Sequence, residues 1–235
     1  VIREHKVGRF SWGTPSLAAS PSGNSVAWIQ WKGDDQKLHV DNVDGSICSR
    51  FVPSMFRYAW LDDTHIVFSH GVELRVLDID SGRVQRFGKG TKQLIAEAFG
   101  VPSTKDMWTS VQELKVAGER VWFTGAWAND RSGDRIDGLL SADKCGSSAQ
   151  VEVLMPTTWH PRELIDDFMV TDDLSIAVFC ADYENGWRCS ERTRTYGPQG
   201  SFLGDGWIPM RESSEPNFAN LLPNSAATET AVDST

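Results

Sequence analysis

The reading turns on two stretches, Ser20-Pro21-Ser22-Gly23-Asn24-Ser25-Val26-Ala27-Trp28 and, ten residues on, Leu38-His39-Val40-Asp41-Asn42-Val43-Asp44-Gly45. In each, an alternating or continuous apolar segment adjoins a cluster of Ser, Pro, Gly, Asn or Asp, the signature of a strand bounded by a turn. The first pattern recurs. An apolar residue, then a Gly or Asp four positions on, then a β-branched residue three further along, is found at Ala19…Gly23…Val26, Ala59…Asp63…Ile66, Leu114…Gly118…Val121 and Met169…Asp173…Ile176. The Gly or Asp is expected in a tight turn, so each unit opens as a β-hairpin. The second pattern recurs at Leu74-Arg75-Val76-Leu77-Asp78-Ile79-Asp80-Ser81-Gly82, and short fourth strands follow at Ile47 to Val52 and Val84 to Phe87.

Val26 and Ile66 are 40 residues apart, and the next two intervals are 55 each. Four strands per ~40–50 residues is the arithmetic of a propeller blade. The third unit supplies Ile136 to Leu140 and Val151 to Leu154 as outer strands; in the fourth only Trp187 to Thr195 stands out as a third strand. The expected fold class is therefore all-β and β-propeller-like, with about four four-stranded blades near 11–52, 56–88, 110–155 and 165–205. A helical insertion is expected within 91–108, where Gly100 and Pro102 end an apolar segment. Residues 1–210 form the propeller-like domain and 211–235 a polar, irregular tail; Val1 to Phe10 alternates like an outer strand.

These blades resemble the "SPDG-x-x-IAF … L-x-V-x-D-x-x-G" repeats of TolB-like propellers, which also form the non-catalytic propeller of prolyl-oligopeptidase-type serine peptidases. The resemblance covers 15–90 closely and 110–195 loosely. It implies a fold and says little of function, because many unrelated proteins use this blade. Such propellers usually have six to eight blades, so four implies a small or incomplete ring, or part of a larger assembly.

Composition excludes several classes. The net charge is −9 and the basic residues are scattered, so no nucleic-acid face is expected. The longest apolar run, Ile176 to Ala181, is far short of the ~20 residues of a membrane helix, and no membrane span is expected. The cysteines Cys48, Cys145, Cys180 and Cys189 lack metal-ligand spacing, and the five histidines fall in separate units, so neither a metal nor a cofactor is expected. No G-x-S-x-G string exists for a serine nucleophile, and no catalytic residue is assigned. The acid pairs Asp62-Asp63 and Asp172-Asp173 sit where turns are expected and read as turn chemistry; Asn129 to Asp134 reads as a solvated loop rather than a calcium site. A hairpin turn at Glu184-Asn185 would set Cys180 opposite Cys189 for a disulfide, whereas one at Asn185-Gly186 pairs Cys180 with Glu191. Val1 in place of Met fits a leader already removed, and with the disulfide this favours an extracytoplasmic or secreted setting.

Ten tryptophans remain to be explained. Trp28, Trp60 and Trp122 are expected in the core. The loops between second and third strands share one face of a propeller with the loops between blades. That geometry places Trp31, Trp127 and Trp187 near one loop type and Trp108 and Trp159 near the other, with His70, Arg131, His160 and Arg162 beside them. Trp and Arg gathered on one face compose a binding surface. The expected function is a non-catalytic scaffold or interaction module with a protein partner or further chain. The alternatives are a ligand-binding or hydrolytic propeller holding a small molecule, glycan or peptide on the Trp-rich face, or the non-catalytic propeller part of a serine peptidase.

Overall fold

The computed structural model describes residues 17–32, 35–51, 55–103, 107–129, 134–155, 162–171, 173–184, 187–197 and 202–207. They form four antiparallel sheets of four strands, each in simple up-and-down order. The first holds β1 (Ala18–Ala19), β2 (Ser25–Lys32), β3 (Asp35–Asn42) and β4 (Ile47–Phe51). The second holds β5 (Met55–Trp60), β6 (His65–His70), β7 (Glu73–Asp78) and β8 (Val84–Arg86). After the helix α1 (Thr91–Phe99), the third holds β9 (Met107–Ala117), β10 (Arg120–Asn129), β11 (Arg135–Asp143) and β12 (Ala149–Leu154). The fourth holds β13 (Arg162–Val170), β14 (Ile176–Glu184), β15 (Trp187–Tyr196) and β16 (Phe202–Trp207). The last of these strands went unread in the sequence because Phe202-Leu203-Gly204-Asp205-Gly206-Trp207 carries two glycines and an acid.

The sheets follow one another face to face, and first strands adjoin: β5 lies against β1 and β9, and β9 against β13. One apolar cluster fills each space between consecutive sheets. Ile29, Leu38 and Val40 meet Tyr58, Ile66 and Phe68 in the first space. Val67 and Val76 meet Val111, Val121 and Phe123 in the second, together with Leu94 and Ile95 of α1. Trp122, Leu139 and Met155 meet Phe168, Ile176 and Val178 in the third. A middle sheet thus buries both faces, and Ile66-Val67-Phe68 and Val121-Trp122-Phe123 are unbroken apolar runs because successive residues point to opposite faces. Trp28, Trp60 and Trp122 are core, as expected.

Helix α1 packs against β12 and the sheets beside it. Gly100 ends it in the left-handed region (φ 67°), where Val101 N–H reaches the Ala96 carbonyl at 2.9 Å. The Thr91 hydroxyl accepts the Leu74 N–H at 2.5 Å and ties the helix to β7.

The turns require one correction. The repeat equates Gly23 with Asp63, Gly118 and Asp173, but these are not one conformational position. Gly23 and Gly118 have positive φ; in the fourth sheet the left-handed residue is Leu174 (φ 64°), one place after Asp173. Leu174 N–H donates to the Thr171 carbonyl at 2.9 Å, as Gly23 N–H does to Ser20. The acids act through their side chains instead. Asp62 Oδ1 accepts the N–H groups of Thr64 and His65, both at 2.8 Å, and Asp173 Oδ1 accepts that of Ser175 at 3.1 Å. Asp63 reaches across to the first sheet and accepts the Ser22 N–H at 3.0 Å. Asp62 and Asp173 cap their own turns, whereas Asp63 bridges to the turn of the first sheet; Asp172 lies outside the described residues.

The hairpin of β14 and β15 closes with Glu184 opposite Trp187, the Asn185-Gly186 alternative. A bulge between Asp182 and Tyr183 then shifts the register, so Cys180 stands opposite Arg192, neither Glu191 nor Cys189. The Cys180 side chain is buried in the cluster between the third and fourth sheets.

Candidate functional site

The first strand of each of three consecutive sheets carries one extra residue. In β5 the register passes from Met55↔His70 to Tyr58↔Phe68, in β9 from Val111↔Gly125 to Leu114↔Phe123, and in β13 from Ile165↔Cys180 to Asp167↔Phe179. A bulge re-aims the side chains beside it. Here it brings Arg57, Glu113 and Asp167 to equivalent places along the adjoining first strands. The neighbouring strand supplies a hydroxyl to the bulged backbone: Ser69 Oγ accepts the Arg57 N–H at 3.1 Å and Thr124 Oγ1 the Glu113 N–H at 2.9 Å. In the second and third sheets the sequence signal is a Phe followed by a small hydroxyl residue, at Phe68-Ser69 and Phe123-Thr124; the fourth sheet has Val178-Phe179 at the equivalent place. It was present and went unused.

These bulged residues tie the sheets together. Arg57 Nε lies 3.0 Å from both Glu113 oxygens, and its Nη2 lies 2.8 Å from Oε1. The Glu113 carboxylate holds the Arg57 guanidinium above its ordinary pKa, against the effect of burial. Lys115 Nζ pairs with Asp167 Oδ1 at 2.7 Å, bonds the Phe168 carbonyl, and lies 5.0 Å from the Phe168 ring centre.

From this seam β9 runs to the end of the sheets where second and third strands join. Trp108, Ser110 and Gln112 alternate there with the buried Met107, Thr109 and Val111. Trp108 is 42% exposed, and the Arg135 guanidinium lies over its ring at 5.6 Å from the centroid. Arg135 is itself fixed by a fork to Asp137, Nε to Oδ2 at 2.5 Å and Nη2 to Oδ1 at 2.6 Å. Below the pair a shallow cleft opens between the third and fourth sheets, lined by Ser110, Gln112, Thr124, Ala126 and Asp137 with Ile165 of β13. Its enclosed part has room for about one water molecule.

The expected surface is only partly assembled by the described residues. Trp108 is on it. Trp127 is not: it is 6% exposed and packs in the cluster between the second and third sheets, because on β10 it shares a face with Phe123 rather than with Ala126. His70 stands at the end of β6 opposite Met55 and Glu73, half-buried. The side chains of Trp31, Arg162, Trp187 and Cys189 lie outside the described residues, as do Arg131, Trp159 and His160 altogether. Arg135 and Asp137 were not foreseen; separated by one residue on a strand, they share a face, and that alternation was their only sequence signal. Among the described residues no group of three His, Cys, Asp or Glu side chains could hold a metal, and no helix is long and apolar enough to cross a membrane.

No family model matches the chain, and no curated protein matches it in sequence. Solved structures do match. TolB from Acinetobacter baumannii superposes at a TM-score of 0.50 with 13% identity, over 80% of this chain and 41% of TolB. A hypothetical selenium-binding protein from Sulfolobus tokodaii matches at 0.50 with 9% identity, over 84% of this chain and 50% of that one. An acylaminoacyl peptidase from Pyrococcus horikoshii matches at 0.46 with 11% identity, over 83% of this chain and 32% of the peptidase. The fold is that of TolB-like propellers. The chain spans about half the length of these proteins, or less.

Proposed function

We propose that this chain is a non-catalytic propeller module that binds a protein partner at the loop end of its third and fourth sheets. The observation that carries this reading is the exposed Trp108 indole braced by an Arg135 that is itself locked to Asp137. An exposed Trp braced by a half-buried Arg combines the residue types that dominate protein interfaces, and little side-chain entropy remains to be lost on association. The cleft beside them is shallow, which suits a protein surface better than an enclosed small ligand. Hydrolysis over this face draws no support from the acid pairs of the second and fourth sheets, because Asp62 and Asp173 cap their own turns and Asp63 holds the Ser22 N–H of the first sheet.

The test is a photo-crosslinking residue placed at position 108, with a second at Val43, an exposed site in the turn between β3 and β4. The expected result, in the native source, is one defined adduct to another chain from position 108 and none from position 43. Equal labelling from both positions, or no adduct from either, overturns the reading.

A further inference from the structure

We draw no further inference here: the strongest candidate, the outward face of the first sheet, where Val26 and Ile47 stand exposed beside the Trp28–His39 stack, carries nothing because nothing in the structure shows what covers it.

Discussion

The two faces of the third sheet differ in how completely they are filled. Toward the second sheet, Val111, Phe123, Trp127 and Leu140 pack with Leu94 and Ile95 of α1. The packing there is close, and a Cβ on Gly125 would overlap the Leu140 side chain. Toward the fourth sheet, the equivalent level holds Ser110, Thr124, Ala126 and Asp137, and a cleft is left. Alternate residues of the same strands thus build a sealed seam on one side and an open one on the other. Where large apolar residues meet, the seam contributes stability; where small and polar ones meet, groups remain for a partner.

That contrast can be broken from its stable side. Phe123 is fully buried in the sealed seam, and Phe123→Ala is expected to cost about 3–5 kcal/mol, read as a fall in the denaturant midpoint. Gly88→Ala tests the same seam where the chain enters α1. Its φ is +51° and an added Cβ would overlap the Gly146 backbone, so a loss of about 2–3 kcal/mol is expected by the same measurement.

Smaller effects sharpen the comparison. Leu174→Gly relieves a left-handed non-glycine residue and should raise stability by about 1 kcal/mol in chemical denaturation, outside either seam. Thr124→Val removes the hydroxyl that accepts the Glu113 N–H, with a loss of about 1 kcal/mol in the same assay. Ser110→Ala, on the open side, should change stability by no more than about 0.5 kcal/mol.

The turn ends respond to pH. Partial burial opposes ionisation of Asp143, but hydrogen bonds from the Ser147 side chain and backbone, and from Ser148, outweigh it and hold the carboxyl well below its ordinary value. Asp44, bonded by the Ser46 hydroxyl and N–H, and Asp173, bonded by Thr171 and Ser175, are lowered as well. A carboxylate with a depressed folded-state pKa adds stability that is complete above its unfolded value and lost as pH falls through the folded one. The melting temperature should therefore fall progressively below about pH 4, and Asp143→Asn should flatten that slope. An unchanged slope in the variant would deny Asp143 this role.

Much of the architecture was legible because it rests on local patterns. Turn residues at Ser20 to Asn24 and Asp78 to Gly82, and apolar runs such as Ile66 to Phe68, mark hairpins whatever lies around them. The site was less so. Trp108 was recognised by its place before a first strand, but Trp127 was assigned to the same surface although it is core. A tryptophan near a strand end faces out or in according to residue parity, and on β10 Trp127 has the parity of Phe123, which faces the second sheet.

The sequence by itself determined that the chain is all-β, that its strands come in fours, and that acids and glycines turn them. Those features follow from backbone preference and short-range hydrogen bonding, which act within a few residues. The tertiary structure alone decided which face of each strand meets which neighbour, that Arg57, Glu113, Lys115 and Asp167 lock successive sheets, and that Arg135 lies over Trp108. Such pairings join residues up to 56 positions apart in the chain. They depend on how the sheets stack, which brings together residues distant in the chain and which no local pattern of residue types encodes.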